Sequence, residues 1–170
     1  EDLLSDQKDT KAISKESNSL TDVQYAYWIG RGKKQILGGV SCHAYFEFKG
    51  SVLDIGKLKE AWHKIQYRHP MLRARFLENG TQQIIERNKF SNELLVYDLR
   101  GKQSEIEEHL LKVRTTNSHR VFDIEKGHVA SLEVTIINNK EYVIHFDIDL
   151  LVADLKSIRI VLNDLAALYG

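Results

Sequence analysis

Two acidic residues and a serine stand where a β-rich run gives way to an amphipathic one. They belong to the segment Asp149-Leu-Leu-Val-Ala-Asp154-Leu-Lys-Ser157. Strand-to-helix junctions collect functional side chains, because they lie at a sheet edge beside free helix amides. The two carboxylates could share a proton, bind a cation or orient a substrate amine. The spacing also suits a structural role, in which Asp154 is a helix N-cap and Asp149 is a solvated turn residue.

A second polar cluster, Arg68-His69-Pro70-Met71-Leu72-Arg73, lies at a predicted helix-to-strand turn. Arg73 could pair with a buried carboxylate, because a guanidinium fork fits a carboxylate better than an ammonium group does. The alternative is that Arg73 and Arg75 lie on the exposed face of an alternating strand.

The histidines give weaker signals. His145 shares strand parity with Asp147 and Asp149 and could be a general base, although a single strand histidine is more often a hydrogen-bonded structural residue. Cys42 and His43 are adjacent, so a strand would point them to opposite faces, which makes them a poor nucleophile–base pair. The sequence has neither three-histidine zinc spacing nor a Gly-rich phosphate loop, so no metal site is predicted.

Capping residues and apolar spacing predict the elements that position these groups. Helices are predicted over residues 21–30, with a Thr21–Gln24 capping box, 54–69, with Asp54 as the cap, 104–113, with a Ser104–Glu107 capping box, and 155–169. Strands are predicted over residues 42–49, 71–76, 82–86, 131–137 and 141–148, with turns at Asn79-Gly80 and Asn138-Asn139-Lys140. The sum is an α/β (α+β) two-layer sandwich, with a mostly antiparallel sheet and helices packed on it.

Composition excludes several classes of protein. The chain has 170 residues with 24 basic and 24 acidic side chains, which argues against a nucleic-acid partner. Cys42 is the only cysteine, so no internal disulfide can form. No run reaches membrane-spanning length and no signal-peptide core is present, so a soluble cytoplasmic protein without a membrane partner is expected. Residues 1–19 are polar and resemble an interdomain linker, and residues 20–170 form the folded part.

Three ordered motifs together resemble the heterocyclization domains of non-ribosomal peptide synthetases, which belong to the condensation-domain superfamily. Leu20-Thr21-x-x-Gln24-x-Ala26-Tyr27-x-x-Gly30-Arg31 resembles their first signature, and the segment from Arg68 to Arg73 resembles the second. Asp149-x4-Asp154-x2-Ser157 resembles the Asp-rich motif that replaces the His-His-x-x-x-Asp-Gly of condensation domains. Gly39-Val-Ser-Cys-His-Ala44 is similar to the siderophore-type members, which join a salicyl or dihydroxybenzoyl starter to cysteine.

The resemblance implies one lobe of a chloramphenicol-acetyltransferase-like fold, in which two lobes surround a tunnel. An upstream (aryl) carrier protein and a downstream peptidyl carrier protein would insert phosphopantetheine arms, and the lobe itself would bind no cofactor. The implied reaction condenses a carrier-bound acyl thioester with carrier-bound cysteine, serine or threonine. Cyclodehydration then gives a thiazoline or oxazoline, in siderophore biosynthesis.

The resemblance also implies roles for individual residues. Asp149, Asp154 and Ser157 become the catalytic candidates, with Asp154 expected to be structural through a pair with Arg73. Leu150 stands where condensation domains keep a catalytic histidine. The remaining motif residues are expected to be structural: Arg68, His69, Thr21, Gln24, Tyr27 and Arg31.

The sequence departs from the family pattern in two places. Asn18-Ser19 replaces the usual Phe-Pro, and the carboxy-terminal lobe expected beyond Gly170 is not included, so the isolated chain is expected to be inactive. An alternative is a non-catalytic lobe that docks a carrier protein or supports its partner lobe. A third hypothesis is an acyltransferase that acts on coenzyme A thioesters. Such enzymes carry a His-x-x-x-Asp motif, and this sequence has Leu150 in place of the histidine.

Overall fold

The computed structural model of the protein describes residues 17–31 and 41–170 as a mixed α/β fold with two sheets. The elements in chain order are β1 (Asn18–Ser19), α1 (Asp22–Gly30), β2 (His43–Gly50), α2 (Ile55–Arg68), β3 (Ala74–Phe76), β4 (Thr81–Ile84), β5 (Leu95–Asp98), α3 (Ile106–Ser118), β6 (Ala130–Asn138), β7 (Glu141–Asp149) and α4 (Leu155–Tyr169). Short 3₁₀ turns precede β3, follow β4 and precede α3. The mixed fold class agrees with the sequence prediction.

The larger sheet has the strand order β2-β7-β6-β5. The β2–β7 and β7–β6 pairs are antiparallel, and the predicted hairpin at residues 138–140 joins β6 to β7, whereas the unpredicted edge strand β5 is parallel to β6. The smaller sheet, β1-β4-β3, is antiparallel throughout. Its first strand, Asn18–Ser19, belongs to the predicted linker of residues 1–19, and residues 1–16 of that linker lie outside the described residues.

The hydrophobic core lies between one face of the larger sheet and the helices α2 and α4. Trp62 of α2 is 1% exposed and packs edge-on against Phe146 of β7, with ring centroids 6.4 Å apart. Leu58 and Ile65 are buried on the same stripe of α2, as their spacing predicts. Each such side chain contributes ~1.5–3 kcal/mol when fully buried. Among the described helices, none is both long and apolar enough to cross a membrane.

The opposite face of the larger sheet is polar and is covered by α3. Alternate residues of β2 and β7 meet there as cross-strand pairs: His43 with Asp149, Tyr45 with Asp147 and Glu47 with His145. Helix α3 contacts this face through polar bonds, with Arg114 Nη2 lying 2.8 Å from Glu47 Oε2. We call these three pairs and the groups bonded to them the polar face.

Two local predictions are wrong. Residues 71–76 do not form one strand, because Pro70 starts a 3₁₀ turn in which the Leu72 amide donates to the His69 carbonyl at 3.0 Å, and strand β3 begins only at Ala74. The second capping box is absent, since α3 follows a 3₁₀ turn and its N-cap residue is Glu105, with no side-chain capping bond. The Asn79-Gly80 turn is present, and Gly80 has the positive φ of +73° that such a turn requires.

Candidate functional site

Asp149, the last residue of β7, is fully buried and its carboxylate is held on every side. The Arg31 guanidinium donates to Oδ2, and the Ser41 hydroxyl donates to the same oxygen at 3.0 Å. The Leu151 amide donates to Oδ1 at 2.9 Å. The structural alternative given for Asp149, a solvated turn residue, is therefore wrong. Asp149 connects the strand-to-helix turn to the guanidinium of Arg31, which is 118 residues away in the chain.

Arg31 is the cation of this site and lies just after the last residue of α1. Its side chain is 10% exposed, and burial lowers the pKa of the guanidinium to about 10. The group therefore stays positively charged at neutral pH. Arg31 also donates to the Ser41 hydroxyl and, at 3.5 Å, to the Phe122 carbonyl, so it joins α1 to three other segments.

The first signature motif is anchored to the Asp-rich motif at a second point. The predicted capping box is present, with the Gln24 amide 3.2 Å from Thr21 Oγ1 and the Thr21 amide 3.0 Å from Gln24 Oε1. The side-chain amide of Gln24 also donates to the Leu151 carbonyl at 2.9 Å. Tyr27, by contrast, points from α1 with 36% of its surface exposed. Gln24 and Arg31 thus hold both ends of α1 against the turn that follows Asp149.

Asp154 caps α4, as the structural interpretation of its spacing predicts. Its Oδ1 accepts a hydrogen bond from the Ser157 amide at 2.7 Å, and the side chain is exposed. Hydrogen bonds from Ser157 hold the pKa of the Asp154 carboxyl below its usual range. Asp149 and Asp154 have separate partners, so the arrangement gives no support to a carboxylate pair that shares a proton.

The prediction of an ion pair between Asp154 and Arg73 is wrong, because each residue has other partners. Arg73 is buried, and its Nε donates to the Gln66 carbonyl at 2.9 Å, while a terminal nitrogen donates to the Ile85 carbonyl. Burial lowers the pKa of its guanidinium. The physical reason is that the 3₁₀ turn after Pro70 directs Arg73 towards free carbonyls at the end of α2 and after β4. Arg73 is a brace between backbone segments and not the partner of a carboxylate.

The other charged residues of the second signature connect α2 to α4. His69 Nε2 lies 2.8 Å from Asp164 Oδ2, and Arg68 Nε lies 3.1 Å from the same oxygen. Arg68 is more than half exposed, whereas His69 and Asp164 are about three-quarters buried. This motif therefore stabilises the packing of two helices and lies outside the cluster around Asp149.

His145 occupies the centre of the polar face as a neutral, structural histidine. Tyr45 donates its hydroxyl proton to Glu47 Oε1 at 2.8 Å, so His145 Nδ1, 2.7 Å from the Tyr45 oxygen, must itself donate. Nε2 then accepts from the Thr135 hydroxyl at 3.1 Å. Burial lowers the pKa of His145, in agreement with the neutral form. Both ring nitrogens are occupied, so His145 is not a free general base.

The sequence indicates Asp147 only through the strand parity that it shares with His145 and Asp149. It is fully buried beside the Arg120 guanidinium, with Nε 3.2 Å from Oδ2, and beside His43, with Nε2 3.8 Å from Oδ1. Burial raises the pKa of its carboxyl above the usual range. The signal that could have found this group is the alternation of polar residues on both β2 and β7, which predicts a polar sheet face.

The site as a whole fixes the positions of backbone segments, and its described residues offer no free base or nucleophile. Leu150 supplies no titratable group, and its amide donates to the Cys42 carbonyl at 2.9 Å. Within residues 17–31 and 41–170, no group of three acidic, histidine or cysteine side chains is arranged to hold a metal ion. The carboxylate of Asp149 is engaged by three donors, so the arrangement can fix the β7–α4 turn.

Comparisons with known proteins identify the family of the chain. The family model of the condensation domain matches residues 15–170. Phenyloxazoline synthase MbtB of Mycolicibacterium paratuberculosis is 41% identical over 155 residues, and pyochelin synthetase PchE of Pseudomonas aeruginosa is 37% identical over 154 residues. These matches cover 89% and 88% of this chain but only 13% and 10% of the two relatives, so the chain spans about a tenth of their length.

A solved structure shows the same fold. The cyclization-docking bidomain of EpoB from Sorangium cellulosum superposes with a TM-score of 0.84 at 31% identity. The match covers 91% of this chain and 31% of that one. A family match that spans all but the first residues, together with this superposition, leads to one conclusion: the chain belongs to the condensation-domain family.

Proposed function

We propose that the chain is the amino-terminal lobe of a heterocyclization domain in a non-ribosomal peptide synthetase, with the lobe formed by residues 20–170. The similarity to the EpoB cyclization-docking bidomain and to a phenyloxazoline synthase supports this function. The observation that carries it is the state of the Asp-rich motif, in which Asp149 is buried and bonded to Arg31 and to the Leu151 amide. The motif resemblance aligns Leu150 with the histidine of condensation domains, so this motif would have no catalytic histidine.

The proposed reaction has two steps. In the first, the amine of a carrier-bound cysteine, serine or threonine attacks the donor thioester, forming an amide and releasing the phosphopantetheine thiol of the upstream carrier. In the second, the side-chain thiol or hydroxyl adds to the new amide carbonyl and water leaves, which gives a thiazoline or oxazoline. The product named for the mycobacterial relative, a phenyloxazoline, fits an aryl starter and a siderophore pathway.

This lobe contributes positioning to that reaction. Arg31 and Gln24 fix the turn between β7 and α4 on α1, and the second signature fixes α4 on α2. Upstream and downstream carrier proteins would deliver the phosphopantetheine arms, and the carboxy-terminal lobe would supply the second wall of the tunnel and the groups that remove water. In this scheme the lobe holds no cofactor of its own.

The test uses the full-length parent synthetase with both carriers loaded, and mass spectrometry of the carrier-bound product. Ring formation appears as an amide that has lost one water. Asp149→Asn should reduce formation of the ring, because it removes the charge that holds Arg31. Asp154→Asn is the matched control and should change little, since asparagine is also a good N-cap. A wild-type parent that releases only the linear amide would contradict the heterocyclization assignment.

A second candidate is a lobe whose own role is to dock a carrier protein. The observation that favours it is the surface of α1, where Val23, Tyr25 and Ile29 are 63%, 50% and 36% exposed. Titration of the chain with a phosphopantetheinylated carrier, followed by NMR, tests it. Carrier binding that Tyr25→Ser weakens, in a parent that forms no ring, would favour this candidate over the first.

A further inference from the structure

His43 lies behind the Asp149 site, directly across the β2–β7 ladder from Asp149. Its ring is mostly buried, and both ring nitrogens face backbone carbonyl oxygens. Nδ1 lies 3.2 Å from the Ser41 carbonyl, and Nε2 lies 2.9 Å from the Asn117 carbonyl at the end of α3. A carbonyl oxygen can only accept a hydrogen bond, so both contacts are made only if both nitrogens carry a proton. A neutral imidazole would leave one nitrogen lone pair facing an oxygen lone pair.

The charges around His43 lead to the same protonation state. Glu133 and Asp147 are 3% and 0% exposed, and a single guanidinium, that of Arg120, contacts both. Two buried carboxylates beside one cation leave a net negative charge in a region with little solvent, which is costly. A protonated His43, with Nε2 3.8 Å from Asp147 Oδ1, supplies the second cation. The groups that face His43 are then balanced, because Arg31 already pairs with Asp149.

A competing arrangement is also electrically neutral. It places the proton on Asp147, whose pKa burial raises above the usual range, and leaves His43 uncharged. In that arrangement one of the two carbonyl contacts of His43 is lost. The hydrogen-bond geometry therefore favours the charged ring, and the two arrangements differ in an observable, the number of protons on the imidazole.

We propose that His43 is an imidazolium and a positioning residue for the Asp149 site. The Nδ1 proton is donated to the Ser41 carbonyl, and the Nε2 proton is donated to the Asn117 carbonyl. The Ser41 hydroxyl in turn donates to Asp149. The ring thereby connects the segment around Ser41, which supplies a hydrogen bond to Asp149, to the end of α3. The positioning part of the proposal rests on the proposed function, whereas the charge of the ring does not.

The first experiment measures the ring itself in the 170-residue chain. Two-bond ¹H–¹⁵N correlation spectra at pH 7 should show two protonated ring nitrogens with nearly equal ¹⁵N shifts for His43. His43→Gln identifies the signals, and His63→Gln, an exposed histidine on α2, should leave them unchanged. Asp147→Asn removes the counter-charge and should convert the ring to a singly protonated form. One unprotonated ring nitrogen in the wild-type chain at pH 7 would overturn the proposal.

The second experiment measures positioning in the full-length parent. A side chain that sets the geometry of a site by about 1 Å changes turnover by up to ~100-fold. His43→Gln should therefore lower kcat for ring formation by about 10- to 100-fold, with KM for the loaded carriers little changed and with the alkaline limb of the pH profile altered. His63→Gln should keep the wild-type profile.

The outcomes separate the two proposals. A purely structural role would lower the amount of folded domain and leave the kcat and pH profile of the remainder unchanged, which would overturn the positioning role. A wild-type parent that forms no ring would reject the proposed function, while the NMR spectra would still decide the charge of His43.

Discussion

Arg31 and Asp149 form a buried ion pair that joins the end of α1 to the end of β7. The pair spans 118 positions of the sequence and belongs to two different signature motifs. Its two side chains are 10% and 1% exposed, so each charge depends on the other for compensation. The Asp-rich motif is therefore a structural joint whose first aspartate binds the last residue of the first signature.

Breaking this pair should be strongly destabilising. We expect Asp149→Ala and Arg31→Ala each to lower the free energy of unfolding by ~3–5 kcal/mol, because the surviving charge stays buried without a partner. The double variant should cost much less than the sum of the two. Urea denaturation followed by circular dichroism measures all three. Glu60→Ala breaks the exposed Glu60–Lys64 pair and serves as the control with little effect. Small, additive losses for Arg31 and Asp149 would show that the pair is not buried.

Asp154 and Arg73 should behave as independent residues. Asp154→Ala should lower stability by only a fraction of the Asp149→Ala effect, and Asp154→Asn should restore nearly all of it, because asparagine also caps helices. Arg73→Met should lower stability more, since the Gln66 and Ile85 carbonyls lose their donor. The double variant Asp154→Ala with Arg73→Met should equal the sum. A coupling energy above ~1 kcal/mol would restore the rejected ion pair.

Val52 occupies a strained turn between β2 and α2. Its φ of +59° lies in the left-handed region, which is unfavourable for a β-branched residue, and its side chain is 78% exposed. Replacing Val52 by glycine should relieve ~1–2 kcal/mol of backbone strain. Glycine also costs ~0.5–1 kcal/mol in conformational entropy, so we expect Val52→Gly to stabilise the chain by ~0.5–1 kcal/mol. Thermal denaturation tests this. Val121→Gly, at another exposed valine without positive φ, should not stabilise. A lower Tm for Val52→Gly would contradict the strained conformation.

The polar face should give stability two opposed dependences on pH. Burial lowers the pKa of His145 below 6.5, so its contribution is fully present above pH ~6.5 and is lost as pH falls through the lower folded value. Burial raises the pKa of Asp147 from 3.8 to about 6, so its contribution is present below pH 3.8 and is lost as pH rises through about 6. Urea titrations of wild type and Asp147→Asn from pH 4 to 7 separate the two. Relative to the variant, the wild type should lose stability as pH rises, and a constant difference would refute the assignment.

The isolated chain should form neither amide nor ring. The reason is that it matches 31% of the cyclization-docking bidomain of EpoB, and the second wall of the tunnel belongs to the proposed carboxy-terminal lobe. Incubation with both loaded carriers, followed by mass spectrometry, checks this, with the full-length parent as the positive control. Turnover by the 170-residue chain would show that one lobe suffices.

Local signals in the sequence determined most of the elements. The Thr21–Gln24 capping box, the apolar stripe of α2, the turn at Gly80 and the Asp154 cap each depend on residues within a few positions of one another. Such interactions form in nearly the same way wherever the segment lies in the fold. The same holds for the motif spacing that indicated the family.

Tertiary structure alone decided the partners of the charged residues. Arg31 binds Asp149 because segments 118 residues apart pack together, and Arg73 binds the Gln66 and Ile85 carbonyls because the turn after Pro70 directs it there. No spacing rule in the sequence predicts either choice. The parallel edge strand β5 has the sequence Leu-Val-Tyr-Asp, whose consecutive apolar residues lack the alternation that predicts a strand. The charge of a buried carboxylate such as Asp147 likewise depends on the dielectric and on its neighbours, which exist only once β2, β6, β7 and the end of α3 have come together.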